Sequence, residues 1–434
     1  MSRSVSGSPE YRRTLWWQNA DRLAPTERLT ADKTADVAVI GGGFTGLTAA
    51  WHLARRGLRV TLLEAGMIGG GASGFNAGFV VPNFAKADPP TVIAQLGEER
   101  GRRLLAMIGQ GADRVFETAR THGIACDAEQ VGWLHVAHSQ TMLDVLRERA
   151  EAWRKLGRPI RMLEAAEARQ LTAARHCVGA LLDPSGGMLH PLNYAFGLAR
   201  LAAAAGVALY EQARVDAVAR SGSRWRVSTA KGSIHADQVL LCTNAAMGGV
   251  ARRLARMVVP LRVYQIATKP LPSAEVERIA PARNPVADTR ANLFTYRLDR
   301  DDRLISGGMA IVPIAAHGRM ARMIAGRLAA ELGLKSVPEV EFVWRGTAAM
   351  TTDFLPHVYE FAPGFIGGIG CNGRGIALTA MLGEVLADAA TGTPLADLPI
   401  PPASPRAIPF HAFAQAAPSF AIAQAKWHDR HLAK

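Results

Sequence analysis

Cysteine is scarce in this chain of 434 residues. Only four are present, and no two of them form a C-x-x-C pair. This excludes a zinc ribbon and thioredoxin-type chemistry, and we expect no metal site. Scattered cysteines in a chain of this length suit a reducing compartment. They are Cys126, Cys177, Cys242 and Cys371.

Long apolar runs are also missing. A helix that spans a bilayer needs about 18 to 20 apolar residues, and the best run, residues 201–210, is much shorter. Neither residues 1–9 nor the segment after Arg12 and Arg13 leads into the apolar stretch of a secretory or twin-arginine signal. We therefore expect a soluble, cytoplasmic protein without a membrane partner.

Runs of basic residues are absent too, although Lys and Arg (50) outnumber Asp and Glu (37) and give a net charge of +13. No run of four basic residues and no basic stripe with interleaved aromatic residues occurs. A nucleic-acid surface concentrates its positive charge in such a patch. We therefore expect scattered surface arginines and no nucleic-acid partner. An acidic or carboxylate-bearing substrate is a milder interpretation of the same charge.

Apolar residues and glycine are abundant. Hydrophobic residues make up 49% of the chain, which is enough to bury a large core and excludes a disordered class. The length predicts two to three structural units. Residues 36–40 and 58–63 are typical of buried parallel strands, and residues 47–56 between them predict a helix. Together these segments predict a βαβ unit.

A glycine-rich turn follows the first of these strands. Gly41, Gly43 and Gly46 form the G-x-G-x-x-G fingerprint of dinucleotide-binding proteins. The first glycine permits the tight turn, the second lets the backbone approach a pyrophosphate, and the third lets helix and strand pack closely. Glu64 ends the second strand, where a carboxylate accepts hydrogen bonds from ribose hydroxyls and repels a 2′-phosphate. The sequence therefore predicts a dinucleotide site that disfavours NADP.

Two further glycine-rich segments, residues 69–78 and 367–375, favour FAD over NAD. An NAD site needs only one βαβ crevice, whereas a flavin ring needs backbone contacts from distant parts of the chain. The second segment leads into a predicted helix, residues 375–390, whose amino terminus favours negative charge. An NAD-dependent dehydrogenase with a single crevice stays as an alternative.

The ordered set of motifs resembles the FAD-dependent D-amino-acid-oxidase-type superfamily, in its gamma-glutamylputrescine oxidase-like branch. The resemblance covers nearly the whole chain, from about residue 11 onward. It implies an α/β fold: an FAD-binding doubly wound domain and a second, α+β substrate domain that carries a mostly antiparallel sheet. The segments that carry the resemblance are residues 37–47, 71–78, 185–191, 265–268 and 370–375, with the tail 418–434.

The resemblance also implies which residues bind FAD. Residues 73–78 would lie along the pyrophosphate and the flavin edge, Val215 beside the adenine, and residues 370–376 under the flavin N1–C2=O region. We expect non-covalent FAD, because residues 346–350 hold no cysteine where similar sarcosine oxidases attach theirs. The implied FAD-binding residues are Gly41, Gly43, Phe44, Thr45, Gly46, Glu64, Ala65, Ser73, Asn76, Ala77, Gly78, Val215, Gly346, Gly370, Cys371, Gly373, Arg374, Gly375 and Ile376.

The expected domains are discontinuous in sequence. An N-terminal extension and a C-terminal tail flank an FAD-binding domain made of three segments and a substrate domain made of two. The extension is 1–35 and the tail 401–434; the FAD-binding segments are 36–90, 176–250 and 340–400; the substrate segments are 91–175 and 251–339.

Two carboxylate-binding positions of similar enzymes are changed in this chain. Glycine oxidases have an arginine shortly after a Trp-x-Gly, and the matching register, residues 344–353, places Ala348 there. Sarcosine oxidases have a lysine two residues after the last glycine of the third segment, where this chain has Ala377. Loss of these charge-assisted bonds removes the main reason to bind an α-carboxylate. The expected substrate is therefore an amine without a neighbouring carboxylate.

Three side chains are catalytic candidates near the substrate. Tyr264 and Arg262 alternate to the same face of a predicted strand, where they either line the pocket or fill the sheet. His190 precedes Pro191 at a predicted helix start. It is either a general base or a contact at the helix end, and the second interpretation is favoured because the sequence shows no partner for this histidine. Arg374 contacts flavin or substrate.

The leading interpretation is an FAD-dependent oxidase of a primary or secondary, gamma-glutamylputrescine-like amine. Hydride passes from the amine α-carbon to flavin N5, the imine hydrolyses to an aldehyde, and O2 reoxidises the flavin to give H2O2. An electron carrier in place of O2, an amino-acid or N-methyl-amino-acid oxidase or dehydrogenase, and a nucleic-acid-modifying flavoprotein stay as alternatives. The residues do not fix the oligomeric state.

Overall fold

The computed structural model describes residues 14–310 and 316–414, together with Ser419 and Gln424. Most of the tail that entered the resemblance, and residues 1–13 of the N-terminal extension, lie outside these described residues. The helices are α1 (Leu15–Gln18), α2 (Phe44–Arg55), α3 (Ala72–Phe75), α4 (Pro89–Leu96), α5 (Glu98–Thr121), α6 (Gln140–Lys155), α7 (Ala165–Thr172), α8 (Pro191–Ala204), α9 (Arg252–Ala255), α10 (Ser273–Ile279), α11 (Ala316–Leu332), α12 (Gly375–Ala390) and α13 (His411–Ala414).

The strands are β1 (Lys33–Ile40), β2 (Val60–Leu63), β3 (Phe79–Val80), β4 (Trp133–Ala137), β5 (Arg161–Glu164), β6 (Gly179–Asp183), β7 (Gly187–Met188), β8 (Ala208–Tyr210), β9 (Val215–Ser221), β10 (Arg224–Thr229), β11 (Ser233–Leu241), β12 (Val259–Pro270), β13 (Val286–Asp288), β14 (Thr295–Leu298), β15 (Arg303–Met309), β16 (Val340–Met350), β17 (His357–Ala362), β18 (Phe365–Ile369) and β19 (Pro402–Ala403).

The first sheet is the predicted nucleotide-binding sheet. Its path runs β19-β17-β18-β11-β1-β2-β8, and the antiparallel β10 and β9 branch from β11. The neighbours β18, β11, β1, β2 and β8 are parallel to one another, with Val37 opposite Val60 on β2 and Gln238 on β11. Parallel strands bring their carboxyl ends to one edge, which is where α/β sheets bind ligands. The doubly wound half of the expected fold is confirmed.

The second sheet is mostly antiparallel, as expected. Within the described part of the chain its order is β16-β12-β15-β14-β13-β4-β6-β5, and only the β13–β4 pair is parallel. Two of its strands, β6 and β16, come from segments that the sequence assigns to the FAD-binding domain. Both strands nevertheless pair in the second sheet, since strand propensity does not reveal which sheet a strand joins. The domain boundaries stay a prediction.

Helix α5 also crosses the expected domain boundary. It lies in the segment assigned to the substrate domain, yet Gly111 packs against Ala377 of α12, so that a Cβ added at Gly111 would lie 3.1 Å from the Ala377 carbonyl oxygen. The sequence predicts one helix over residues 91–122, whereas α4 and α5 are separated at Gly97, which has a φ of +78°. A left-handed glycine ends a helix readily, which explains the break.

Alternate residues of the second sheet enter different cores. On β4, Leu134 joins the core beneath α11, whereas Trp133 joins the large core shared with α2 and α12. On β12, Tyr264 joins the α11 core and Ala267 the shared core. Because side chains alternate along a strand, Gln265 lies on the same side as Ala267. The side that carries Trp133, Gln265 and Ala267 is termed the roof face.

The described residues hold no helix with the length and apolar character that a bilayer span requires. Nor do they contain a group of three or more His, Cys, Asp or Glu side chains placed to hold a metal ion. All four cysteines are buried and unpaired.

Candidate cofactor and substrate site

The fingerprint glycines follow β1 and enter α2. Gly41 has a φ of +113°, and a Cβ there would lie 2.6 Å from the carbonyl oxygen of Cys242 on the neighbouring strand end. A Cβ at Gly46 would overlap the carbonyl oxygen of Gly41. A Cβ at Gly43 would meet only the Ser73 hydroxyl, at 2.9 Å. The first and third glycines therefore serve the turn and the helix–strand contact, and the second leaves its backbone accessible.

Glu64 lies at the end of β2 and faces this turn. Its Oε2 accepts a hydrogen bond from Gly42 N at 2.7 Å, and its Oε1 accepts one from Gly66 N at 2.8 Å. Burial raises the pKa of Glu64, and these two backbone donors oppose that shift. A carboxylate oxygen accepts more than one hydrogen bond, so acceptor capacity for ribose hydroxyls remains. The adjoining Ala65 is exposed. Ribose binding by Glu64 stays a prediction.

The second glycine-rich segment packs against the first. Ser73, in α3, accepts a hydrogen bond from Phe44 N at 3.0 Å, and so contacts the amino terminus of α2. Asn76 shapes its own turn: Nδ2 donates to Ser73 O at 2.7 Å and Oδ1 accepts from Gly78 N at 2.8 Å. The Asn76 side chain is therefore used inside the loop and not offered to a ligand.

Arg297, on β14 of the second sheet, forms hydrogen bonds with this second glycine-rich segment and with the backbone beside it. Its Nε donates to Ala77 O at 2.7 Å and its Nη2 to Leu189 O at 3.1 Å. Gly78 has a φ of +78°, and a Cβ there would overlap Leu189 O and lie 2.6 Å from Arg297 Nη2. Burial lowers the pKa of Arg297 to about 10. The sequence reasoning missed Arg297, whose only signal is its alternation on β14.

The third segment forms the turn between β18 and α12. Gly370 has a φ of +107°, and a Cβ there would lie 2.8 Å from Leu355 O. The buried Asn372 accepts from Thr351 N at 2.8 Å and donates to Gly370 O at 2.9 Å, which fixes the turn. Cβ atoms added at Gly373 or Gly375 would meet nothing within 4 Å. Asn372 therefore fixes the turn, whereas the space beside Gly373 and Gly375 is open.

The amino terminus of α12 is available to an anion. No side chain caps it, and its first residues, Gly375 and Ile376, carry backbone N–H groups that the helix leaves unpaired. Cys371 is buried beside this turn, and burial raises the pKa of its thiol. A raised thiol pKa lowers the thiolate fraction, so Cys371 is a poor nucleophile.

The remaining two implied cofactor residues lie on different strands. Gly346, on β16, faces the second segment, since a Cβ there would lie 3.2 Å from Phe75 O. Val215 begins β9 and is buried; its carbonyl oxygen is covered by Gly249, which has a φ of +49°. Cofactor contact by Gly346 and adenine contact by Val215 both stay predictions.

The three segments fit FAD as a group. Helices α2 and α12 approach closely where a Cβ at Gly383 would lie 2.7 Å from the carbonyl oxygen of Thr45. Thr243, just past the carboxyl end of β11, has a hydroxyl with no hydrogen-bond partner in the described part of the chain. The sequence reasoning missed Thr243, although the rule that ligands bind at the carboxyl ends of parallel strands could have found it.

A comparison of the sequence with protein-family models decides the identity of this site. The model described as "FAD dependent oxidoreductase" (DAO) matches residues 36–389. The chain belongs to this family. It is an FAD-dependent oxidoreductase that acts on CH–NH or CH–NH2 groups, and the predicted FAD is confirmed. The family evidence supports an FAD-dependent amine or amino-acid oxidoreductase.

Curated relatives and solved structures agree with this family. The chain is 31% identical over 390 residues to gamma-glutamylputrescine oxidoreductase of Escherichia coli, a match that covers 88% of this chain and 90% of the relative. It is 27% identical over 372 residues to glycine oxidase of Geobacillus kaustophilus, covering 81% and 92%. The crystal structure of that organism's glycine oxidase has a TM-score of 0.69 at 22% identity, covering 84% and 96%, and so supports the fold.

Two of the three catalytic candidates lie away from the cofactor segments of this oxidoreductase. Tyr264 is buried in the core beneath α11, with its ring 5.4 Å from that of His317. Arg262 is exposed and alternates to the same side of β12 as Tyr264. The structure therefore does not bring either side chain into the site. The sequence predicted their shared face correctly but not which face points to the cofactor.

His190 caps helix α8. Its Nδ1 accepts a hydrogen bond from Asn193 N at 3.1 Å, so the capping role holds and Nδ1 is not available as a base. Burial, reinforced by the nearby Arg297, lowers the pKa of His190 to about 3. The ring lies 4.9 Å from that of Trp16, whose Nε1 donates to Asn76 O at 2.8 Å. His190 thus helps to anchor the N-terminal segment on the second glycine loop.

The roof face carries side chains that the sequence reasoning did not assign to the site. Trp344 donates from Nε1 to Phe75 O at 3.0 Å. Gln265 is buried, and its Oε1 has no hydrogen-bond partner within residues 14–310 and 316–414. Period-two alternation could have found both residues once the buried side of β12 was known. Arg374 reaches from the third segment to this face, with its guanidinium carbon 5.2 Å from the centre of the Trp133 ring.

Proposed function

We propose that this oxidoreductase is an oxidase of a gamma-glutamylputrescine-like primary or secondary amine, which it converts to an aldehyde through an imine. The balanced reaction of a primary amine consumes O2 and water and releases ammonia and H2O2. The observation that carries the proposal is the replacement of both α-carboxylate clamps by alanine. The relative named gamma-glutamylputrescine oxidoreductase supports the choice of amine.

The surroundings of Ala377 explain why no lysine stands there. Ala377 is buried, and a Cβ added at Gly111 would lie 3.3 Å from the Ala377 Cβ. Such close packing of α5 on α12 leaves no path for a long side chain. Ala348 is partly exposed on β16, two residues beyond Gly346 and therefore on the same side of the strand. Neither position supplies a cation for an α-carboxylate.

FAD, when bound, supplies the hydride acceptor at N5 and passes the electrons to O2. The residues that would hold it are the three glycine-rich segments with Glu64 and Gly346. The unpaired N–H groups of Gly375 and Ile376 would stabilise negative charge on the cofactor, because they lie at the positive end of α12.

Anaerobic bleaching of the enzyme-bound flavin tests this function. The panel is gamma-glutamylputrescine, putrescine, an N-methylated amine, sarcosine, glycine and D-alanine. We expect the amines without an α-carboxylate to bleach the flavin fastest, with peroxide release on readmission of air. Sarcosine or D-alanine as the best substrate would favour the amino-acid oxidase alternative. Bleaching without peroxide would favour an electron carrier as acceptor.

The variant Ala348→Arg sharpens the same test. It returns a guanidinium to the position where glycine oxidases have one, so we expect turnover of D-alanine to rise relative to gamma-glutamylputrescine. Ala348→Gln is the matched control, since it adds a side chain of polar character without the charge. Equal effects of the two variants would mean that side-chain size, not carboxylate recognition, governs this position.

The proposed attachment of FAD is non-covalent. Acid or heat precipitation should therefore leave the flavin in the supernatant, where its absorbance is measured. Flavin that stays in the pellet would contradict this proposal, and Cys371 would be the first attachment site to examine by mutation to serine.

A further inference from the structure

The Arg374 side chain has no anionic partner among the described residues. It forms neither a salt bridge nor a side-chain hydrogen bond there, and its Nε is buried without an acceptor. Burial, with a contribution from Arg149, lowers the pKa of Arg374 to about 10. Its guanidinium lies over the Trp133 ring, a cation–π contact that leaves the N–H donors unused. A buried N–H group without an acceptor is costly unless a ligand supplies one.

Trp133 adds a second unused donor at the same place. Its side chain is 0% exposed, and its indole Nε1 has no hydrogen-bond partner within the described ranges. Buried tryptophans usually pair this N–H group. Arg374 and Trp133 therefore bring N–H donors to the roof face that have no acceptor among the described residues.

The polar groups around Arg149 form no hydrogen bond with the side chains of Arg374 or Trp133 in the described part of the chain. Asp88 accepts from Arg149 Nε at 2.5 Å and from Arg149 Nη2 at 3.2 Å. His135, whose ring lies 4.9 Å from the Trp133 ring, accepts at Nδ1 from Arg149 Nη1 at 3.2 Å and donates from Nε2 to Asp288 O at 3.1 Å. These bonds require a neutral imidazole, and burial with Arg149 and Arg374 lowers the pKa of His135 well below its usual range. Within the described residues, Arg374 Nε and Trp133 Nε1 therefore have no protein acceptor.

The chemistry of the missing acceptor follows from the donors. A guanidinium fork matches the two oxygens of a carboxylate, and an adjacent indole N–H adds a further donor. The cofactor is the competing partner, and the FAD affinity of the Arg374→Gln variant separates the two. The α-carboxylate clamps are absent at Ala348 and Ala377. A substrate carboxylate bound by Arg374 is therefore not expected to lie next to the carbon that is oxidised.

We infer that Arg374 and Trp133 bind a carboxylate of the substrate that is distant from the oxidised C–N bond. This inference rests on the proposed function and narrows its substrate class to amines with a remote carboxylate, of which a gamma-glutamyl amine is one. The inference also explains why a cationic side chain is present near the substrate although both α-carboxylate clamps are missing.

The test compares gamma-glutamylputrescine with putrescine, which lacks the carboxylate, in the holoenzyme and four variants. Arg374→Gln should lower kcat/KM for gamma-glutamylputrescine about 10- to 100-fold, as expected for loss of a charged hydrogen-bond partner, and leave putrescine within about twofold. Arg374→Lys should recover part of the loss because it keeps the charge. Trp133→Phe should cost gamma-glutamylputrescine roughly 3- to 10-fold, since it removes only the N–H group.

Arg55→Gln is the matched control. Arg55 is exposed and lies 5.1 Å from the centre of the Trp51 ring, so the variant removes the same charge and the same type of cation–π contact elsewhere on the protein. We expect it to behave like the wild type with both substrates.

A binding readout separates this inference from the proposed function. Glutarate, a dicarboxylate without an oxidisable amine, should perturb the visible flavin spectrum of the wild type and bind at least tenfold more weakly to Arg374→Gln. Equal losses for both substrates, or a weaker FAD affinity in Arg374→Gln, would overturn the inference and assign the side chain to the flavin. If no amine bleached the flavin, the proposed function would fail, and glutarate binding would still decide the carboxylate site.

Discussion

The glycine-rich loops of the nucleotide-binding half and the roof face differ in how their polar side chains are satisfied. In the loops, Glu64, Ser73 and Asn76 all form hydrogen bonds with neighbouring backbone groups at 2.7 to 3.0 Å. On the roof face, Trp133 and Gln265 each keep a buried polar atom without a partner in the described residues, and Arg374, which reaches it, does the same.

This difference matches the ligands of the two regions. FAD is the same in every catalytic cycle, so a loop that is already braced by its own hydrogen bonds loses little conformational entropy on binding. The substrate enters and leaves, and unpaired buried groups make its binding selective, because a ligand that does not satisfy them is penalised. The variants below test the two regions in turn, from the largest expected effect to the smallest.

The largest effect is expected at the third fingerprint glycine. Gly46→Ala places a Cβ against the Gly41 carbonyl oxygen, which forces α2 away from β1. We expect a loss of about 3 kcal/mol in the free energy of unfolding, or no folded protein, since backbone does not yield as a side chain does. Denaturant unfolding and FAD retention on gel filtration measure it.

Gly326→Ala is the control for that variant. Gly326 lies within α11, and an added Cβ there meets nothing within 4 Å. Alanine in a helix interior is favoured over glycine by about 0.5 to 1 kcal/mol, so this variant should be slightly more stable than the wild type. A mild phenotype for Gly46→Ala would mean that the turn is less constrained than the packing indicates.

The nucleotide-binding half is the part of the fold that was predictable from sequence. Residues 36–40, 47–56 and 58–63 became β1, α2 and β2 with shifts of a few residues at their ends. Local rules suffice there, because the turn, the strand composition and the helix stop are encoded within one short segment. The sheet membership of β6 and β16 depends on contacts between distant segments, which propensity does not report.

A smaller effect on FAD is expected at Glu64. Glu64→Arg removes the acceptor for Gly42 N and for the predicted ribose hydroxyls, and should weaken FAD binding by about 1 to 3 kcal/mol. Glu64→Gln keeps one acceptor oxygen and should lose less. Glu360→Arg, a charge reversal at an exposed position of β17, is the control. FAD affinity is measured by quenching of flavin fluorescence, and unchanged affinity in a folded Glu64→Arg variant would contradict the assignment.

The low pKa of His190 predicts that the free energy of unfolding falls in mild acid. Its pKa is lowered to about 3 in the folded protein against a usual value near 6.5, so the folded state stays neutral while the unfolded state gains a proton. This contribution to stability is complete above pH 6.5 and is lost as the pH falls toward 3. Between pH 7 and pH 5 the loss is about 2 kcal/mol.

The variant His190→Asn isolates that contribution. Asparagine caps helices well and does not titrate, so the difference in unfolding free energy between pH 7 and pH 5 should shrink by about 2 kcal/mol relative to the wild type. His176→Asn, at an exposed position, should leave the difference as it is. Urea unfolding with excess FAD at both pH values measures it. An unchanged difference in His190→Asn would mean that the ring is accessible to protons.

The substrate side was predictable only in part. The sequence predicted a flavin or substrate contact for Arg374, which stays a prediction, and a shared strand face for Tyr264 and Arg262. It could not determine which face of β12 points to the cofactor, because that depends on where α11 packs, and α11 is far from β12 in the sequence. Gln265, on β12, was not assigned for the same reason.

The smallest and most discriminating effect concerns two neighbours on β12. Gln265 lies on the roof face, close enough to β15 that a Cβ at Gly307 would lie 2.6 Å from its Oε1, and that oxygen has no partner in the described residues. Gln265→Leu should therefore lower kcat/KM for the best amine about tenfold while leaving the unfolding free energy unchanged or about 1 kcal/mol higher, since a buried unpaired oxygen is removed. Tyr264→Phe, beneath α11, should leave kcat/KM within about twofold. The two variants differ by one position and by the side of the sheet they face. If Tyr264→Phe lost activity and Gln265→Leu did not, the orientation of the second sheet over the cofactor would be reversed, and Tyr264 would return to the substrate pocket.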